Sequence, residues 1–234
     1  MAPAPSGTLA TSRLKRLAKA STDTGVAGDG PPAEGEAEER CELCNAPIPS
    51  EHRHMLELSS RELLCTCRPC ALLFDREGSG SGRYKLVPER RLRLDGFQMS
   101  DQAWEELRIP VDMAFFFHSS AAERVLAYYP GAMGPIESQL ELRSWRDLER
   151  ANPILSELEA DVEALLVNRV RGARGYWLVP LDECYGLVGL IRTRWRGFTG
   201  GSEVWREIDR FFEELDRRAR SATRSSREAR QKGA

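Results

Sequence analysis

Residues 41–74 read CELCNAPIPSEHRHMLELSSRELLCTCRPCALLF and hold five of the six cysteines in the 234-residue chain. Two Cys-x-x-Cys pairs, Cys41/Cys44 and Cys67/Cys70, are separated by 22 residues. Each pair wraps a tight turn that brings both sulfurs to one side, and four thiolates satisfy a tetrahedral metal. We therefore predict a metal site formed by these four cysteines. Because no coordination position is left open, the site is expected to be structural.

Zinc is the expected metal for this spacing of cysteines. Tetrahedral sulfur also suits a single iron, as in rubredoxin, so an iron electron carrier stays an alternative.

The residues between the two pairs indicate the shape of the module. Residues 53–58 and 61–64 are short strand-like runs on either side of a Leu-Ser-Ser turn, which predicts a hairpin. After Cys67, the ALLF run at 71–74 predicts a helix whose first turn supplies the second ligand pair. Turn, hairpin and ligand-bearing helix together look like a treble-clef or zinc-ribbon-like finger.

Three further side chains in this segment have open roles. Cys65 is surplus; it is a candidate to replace Cys67 as a ligand, an activated thiol, or a packed cysteine. His52 and His54 alternate along the first hairpin strand and point the same way. They are candidates for an accessory metal site or a catalytic pair, although exposed strand histidines are the simpler interpretation.

The hairpin histidines also raise a nuclease alternative. HNH-type nucleases are treble clefs with a catalytic His on the hairpin, and the run 63–70 is similar to their second knuckle. That family places a His directly after the last Cys-x-x-Cys, where this chain has Ala71, and an Asp where it has Glu51. Without the helix His the catalytic divalent ion loses a ligand, so an active nuclease is disfavoured.

Composition predicts how the chain divides. The net charge is -2, and 41% of residues are hydrophobic, so the chain can bury a core and is not a basic nucleic-acid coat. No apolar run approaches the roughly 20 residues of a membrane span, and no apolar signal region precedes residue 40, which predicts a cytoplasmic protein. We predict five segments: a disordered tail (1–40), the four-cysteine module (41–76), a Gly/Ser linker (77–82), an α+β domain (83–218) and a basic disordered tail (219–234).

Residues 83–218 mix strands and helices without regular βαβ units, which favours the α+β class. Strands are predicted at 84–87, 91–94, 111–117, 124–129 and 176–179. Helices are predicted after Ser100, over 152–165 from the Asn152-Pro153 start, over 184–195 and over 204–215. Phe115, Phe116 and Phe117 are expected to be sheet core with one face outward.

Taken as a whole, residues 41 to about 215 resemble an uncharacterised actinobacterial family usually encoded beside high-affinity uptake nickel–iron hydrogenases. The segments that carry the resemblance are 41–44, 65–74, 109–111, 114–117, 128–131, 137–138, 152–153, 161–167, 179–185 and 195–201. The resemblance implies a hydrogenase context, with a hydrogenase subunit or maturation factor as protein partner, and no particular reaction.

The rest of the chain has no recognisable catalytic set. It lacks a phosphate-binding loop and a Ser-His-Asp arrangement, His118 reads as a strand-end residue, and Cys184 lies on an apolar helical face. The basic tail is a weak candidate for contact with nucleic acid. The sequence therefore predicts a metal-binding accessory protein without catalytic activity of its own.

Overall fold

The structure is a computed structural model that describes residues 39–75, 82–139, 142–195 and 200–222. Within these ranges the chain forms ten strands and five α-helices. The strands are β1 Arg53–Glu57, β2 Glu62–Thr66, β3 Tyr84–Leu86, β4 Leu92–Arg93, β5 Met113–Ser119, β6 Arg124–Gly131, β7 Gly134–Ser138, β8 Glu163–Asn168, β9 Gly175–Pro180 and β10 Arg220–Ser221. The α-helices are α1 Arg68–Phe74, α2 Asp101–Glu106, α3 Leu142–Ala151, α4 Leu181–Arg194 and α5 Gly201–Arg218, and two 3-10 helices span Pro153–Glu157 and Val170–Gly172.

The strands form two sheets. A small sheet has the order β2-β1-β3, and a large one has the order β10-β4-β9-β8-β5-β6-β7. Neighbouring strands are antiparallel except for β10, which pairs with β4 in parallel. Antiparallel strands combined with helices confirm the α+β class.

Most predicted elements are present. The hairpin, the strands at 84–87, 91–94, 111–117, 124–129 and 176–179, and the helices over 184–195 and 204–215 all appear, with ends that differ by a few residues. Ser100 caps α2 as predicted, because its hydroxyl accepts a hydrogen bond from the Ala103 amide at 3.0 Å.

The helix predicted over 152–165 is wrong. The chain makes the 3-10 helix Pro153–Glu157 and then enters β8, a strand that pairs with both β5 and β9. Leu165 and Leu166 are both fully buried, on opposite faces of the sheet. A strand buried on both faces carries a continuous apolar run, and such a run also matches a buried helix.

The large sheet is covered on both faces, so the expectation that one face of the Phe115–117 run lies outward is also wrong. Phe115 and Phe117 pack in one cluster with α4 and α5, whereas Phe116 packs in a second cluster with α2 and α3. All three rings are buried. Successive side chains of a strand point to opposite faces, and here both faces belong to the core.

The β1–β2 hairpin packs against this core. Leu56 and Leu63 pair across the hairpin and belong to the same buried cluster as Phe115. The Arg61 guanidinium donates a hydrogen bond to the Ser119 hydroxyl at the end of β5. β3, which follows the Gly/Ser segment, adds to β1, so the cysteine segment and the residues after it share one sheet.

Several expectations fall on undescribed residues. Residues 1–38 of the expected N-terminal tail, residues 77–81 of the linker and residues 223–234 of the basic tail lie outside the described residues. No helix within the described ranges is both long and apolar enough to cross a bilayer.

Candidate metal centre

The first Cys-x-x-Cys pair lies on a tight turn. The Cys41 amide donates to the Ala46 carbonyl, and the Asn45 amide donates to the Cys41 carbonyl, both at 2.8 Å. Asn45 has a φ of 62°, in the left-handed region that asparagine adopts more readily than most residues. The turn therefore folds back on itself and directs the Cys41 and Cys44 side chains together.

The second pair lies at the start of α1. Cys67 precedes the helix in extended conformation, with φ -71° and ψ 156°, and Cys70 lies in the first turn. Pro69 suits this turn because the amide it lacks has no partner at a helix start. The Ala71 amide donates to the Cys67 carbonyl at 3.0 Å, which closes the turn and brings the two thiols to one side.

The two pairs converge on one point. The sulfurs of Cys41, Cys44, Cys67 and Cys70 all lie within 4.8 Å of one another, and the Cys44 and Cys67 sulfurs are 3.6 Å apart. Metal–sulfur bonds of about 2.3 Å in a tetrahedron set sulfur–sulfur distances of about 3.8 Å. None of the four is in a disulfide. The cluster could therefore bind a metal, and tetrahedral sulfur is the coordination that both zinc and a single iron take.

Charge in the cluster favours a cation. Burial raises the pKa of the Cys41 thiol, but hydrogen bonds from the backbone amides of Cys67, Cys44 and Leu43 outweigh it and lower that pKa to about 6. The pKa of Cys70 is raised by burial and by the neighbouring thiols. One thiolate thus forms readily, and its negative charge disfavours ionisation of the next thiol. A bound dication removes this repulsion between neighbouring thiolates.

Two hydrogen bonds hold the first turn against the hairpin. The Glu42 amide donates to the Cys65 carbonyl at 2.9 Å, and the Cys65 amide donates to the Glu42 carboxylate at 2.8 Å. These two bonds join the Cys41–Cys44 turn to β2, the strand that leads into the second pair.

A second group of candidate ligands lies beside the cluster. His54 and Cys65 face each other across the β1–β2 pair, and His52 lies two residues before His54 on the same face. One ring nitrogen of each histidine and the Cys65 sulfur lie within 4.8 Å of one another. The histidine side chains are only 5% and 13% exposed, so the interpretation of His52 and His54 as exposed strand residues is wrong.

The structure adds a residue that sequence analysis did not single out as a site residue. His54 Nδ1 lies 2.7 Å from the Asp182 carboxylate in the first turn of α4. Burial lowers the pKa of His54, but its bonds to Asp182 and Cys65 outweigh burial and raise that pKa to about 10. Asp182 follows an apolar strand directly, and an acid at the start of a helix is the signal that marks it in the sequence.

Three other positions that the sequence singled out belong to neither group. Cys184 is fully buried on the core-facing side of α4, and His118 is exposed on β5. Ala71, where HNH nucleases have a metal-binding His, is buried in α1.

The fold and the site define an α+β protein with a four-cysteine cluster and an adjoining group of two histidines and one cysteine. Residues 40–219 match the family described as "Family of unknown function (DUF5947)", and the chain belongs to that family. The match carries no statement about hydrogenases or source organism. No curated protein and no solved structure matches the chain.

Proposed function

We propose that the protein is a cytoplasmic, non-catalytic accessory protein that binds zinc through Cys41, Cys44, Cys67 and Cys70. The observation that carries the proposal is the convergence of four sulfurs within 4.8 Å. The order of elements, a tight turn, then the β1–β2 hairpin, then α1, supports a treble-clef arrangement. Four protein ligands leave no position for water or substrate, so the zinc is structural.

In this proposal the metal fixes the end of the hairpin at which β1 begins and β2 ends. The hairpin's inner face is already held by Leu56 and Leu63 in the core, whereas the Cys41–Cys44 turn and α1 belong to a small cluster of their own. That cluster contains three buried residues, Cys41, Ile48 and Cys70. So small a core contributes little, and metal coordination supplies the rest of the folding energy.

The partner we propose is a subunit or maturation factor of an uptake nickel–iron hydrogenase. The support for this part is the resemblance carried by the cysteine groups and the segments 114–117, 161–167 and 179–185. Ala71 at the helix position favours an accessory role over a nuclease, because the catalytic ion would lack a ligand there.

Metal analysis of the purified full-length protein tests the zinc site. We expect zinc to stay bound after desalting, and Cys70→Ser to lower the zinc content by one equivalent per chain. Cys184→Ala, which removes a buried cysteine outside the cluster, should leave the zinc content unchanged. A red protein that contains iron, with visible thiolate-to-iron bands, would replace zinc with a rubredoxin-like electron carrier.

Two measurements test the biological role. Deletion of the gene should lower hydrogen uptake, and affinity purification of the intact chain should recover hydrogenase subunits or maturation factors. Cleavage of plasmid DNA by the purified protein with added magnesium or manganese, lost in His54→Ala, would support the nuclease alternative and overturn the accessory role.

A further inference from the structure

We propose that His52, His54 and Cys65 form a second metal site, separate from the four-cysteine cluster, that binds a divalent transition metal such as Zn²⁺ or Co²⁺ through two nitrogens and one sulfur. The site lies on the inner face of the hairpin, between β1, β2 and the start of α4. It goes beyond the proposed structural zinc, because three protein ligands leave a coordination position open.

The hairpin register brings the three ligands together. His54 and Cys65 are direct cross-strand partners, so their side chains leave the sheet side by side on one face. His52 reaches the same face two residues earlier, and its ring lies edge-on to that of His54 with 4.8 Å between the centroids. Two residues further along this face, Leu56 and Leu63 enter the core, which fixes the hairpin and with it the ligands.

Both imidazole rings are oriented as metal ligands are. His52 Nδ1 lies 2.9 Å from the Pro49 carbonyl, and His54 Nδ1 lies 2.7 Å from the Asp182 carboxylate. Both partners only accept hydrogen bonds, so each Nδ1 carries the proton and each Nε2 is the atom left to bind a metal. Histidine ligands in proteins usually donate their other N–H to a carbonyl or a carboxylate in this way.

One of these Nε2 atoms makes no hydrogen bond of ordinary geometry. His52 Nε2 is buried and has no hydrogen-bond partner among the residues that the structure describes. Buried polar atoms are nearly always paired, so an unpartnered ring nitrogen beside a second imidazole and a thiol indicates a ligand that completes it. A metal at this point satisfies His52 and displaces any proton held by His54 Nε2 or Cys65, as metal binding does at imidazole and thiol ligands.

The donor set restricts the metal. Two imidazoles and one thiolate suit zinc, cobalt, nickel or copper, whereas magnesium and calcium require oxygen ligands. The two histidine side chains are nearly buried and Cys65 is half-buried, and the three ligands leave one position of a tetrahedron unfilled. The fourth position therefore takes water or an incoming ligand.

Cobalt titration of the full-length protein, loaded with a single equivalent of zinc per chain, tests the site. Because zinc fills the four-cysteine cluster, we expect one further equivalent of Co²⁺ to bind with visible d–d bands and a thiolate-to-cobalt band. His52→Ala and Cys65→Ser should weaken this binding at least tenfold while the zinc content of the first site stays constant. His118→Ala, which removes an exposed strand histidine, should change neither.

Asp182→Asn tests the orientation of His54. The variant keeps all three ligands and weakens the hydrogen bond that holds the ring, so Co²⁺ affinity should fall by about 10–100-fold. The absence of cobalt binding to the protein that holds one equivalent of zinc, or binding that His52→Ala leaves intact, would overturn the second site. Alkylation of Cys65 at an unchanged rate under saturating Co²⁺ would also overturn it and would indicate a reactive thiol–imidazole pair. In each of these cases zinc retention by the first site would still hold.

Discussion

At the scale of single residues, Glu183 joins three parts of the chain through one buried carboxylate. Arg91, which precedes β4, donates to it from Nε at 2.8 Å, and Arg218 at the end of α5 donates at 2.9 and 3.2 Å. Glu183 itself lies in the first turn of α4, where the helix dipole favours a negative charge. The carboxylate therefore couples the segment before β4, which lies between β10 and β9 in the large sheet, to both helices on one face of that sheet.

We expect Glu183→Gln to destabilise the protein by about 2–3 kcal/mol, because two arginines lose a buried, charged partner. Urea unfolding monitored by circular dichroism measures this. Asp147→Asn is the matched control, since it removes the carboxylate of an exposed ion pair with Arg150 and should cost about 0.5 kcal/mol or less. Equal effects of the two substitutions would contradict a special role for Glu183.

Cys184 should be unreactive in the folded protein. Burial raises the pKa of this thiol well above its ordinary value, with a further contribution from the carboxylates of Glu183 and Asp182. A raised pKa lowers the thiolate fraction at neutral pH, and the thiolate is the species that reacts. We expect iodoacetamide to modify Cys184 only after unfolding, as measured by mass spectrometry of peptides; modification in the native state would show that α4 opens.

Some residues of the candidate site could be predicted from the sequence, and others could not. The four cysteines could be predicted because each pair is local and its spacing is itself the signal. Asp182 could not be paired with His54, because 128 residues separate them and only the packing of α4 against the hairpin brings them together. The burial of His52 and His54 has the same origin, since strand alternation gives the shared face but not what covers it.

At the scale of elements, the strands and helices that could be predicted from the sequence are those whose hydrophobic residues follow one dominant period. The hairpin is bounded by a turn, and α5 has a clear amphipathic stripe with Ile208 and Leu215 on its buried side. The helix predicted over 152–165 extends into the first residues of β8, a strand whose two faces are both apolar. Pairing with β5 and β9 makes this segment a strand. Such pairing joins distant parts of the chain, so a local sequence pattern does not contain it.

Asn152 illustrates how one side chain ends one element and fixes another. The sequence predicts that it begins a long helix, but it follows the end of α3. Its side-chain amide donates to the Leu148 carbonyl at 3.0 Å. The same side-chain amide also pairs with the backbone of Gln98. Its oxygen accepts from the Gln98 N–H at 2.7 Å, and its NH₂ group donates to the Gln98 carbonyl at 2.8 Å. The buried side chain thus connects the end of α3 to the loop before α2.

We expect Asn152→Ala to cost about 2–3 kcal/mol of unfolding free energy, because it removes three hydrogen bonds and leaves backbone groups of Gln98 without their partner. Thermal and urea unfolding measure the loss. Ser156→Ala, which removes an exposed side-chain bond to the Pro153 carbonyl, should stay within about 0.5 kcal/mol. If the two variants were equally stable, the Asn152 contacts would contribute nothing to stability.

At the scale of the whole molecule, the stability of the large sheet and that of the cysteine cluster have different sources. The sheet lies between two apolar clusters, one with α4 and α5 and the other with α2 and α3. The four cysteines lie outside both clusters, and Leu56 and Leu63 of the hairpin form a link between the two regions. Removal of the metal should therefore affect the molecule unevenly.

We expect chelation of the metal under reducing conditions to speed amide exchange in residues 41–48 and in α1, because folding and metal binding are coupled there. Amides of β5, β8 and β9 should keep their protection, since regions with their own buried core open independently. Hydrogen exchange with mass spectrometry resolves the two regions, and restored protection after addition of zinc shows that the loss is reversible. Equal loss of protection in β8 would mean that the metal supports the entire fold, and that the hairpin residues Leu56 and Leu63 transmit its removal to the core.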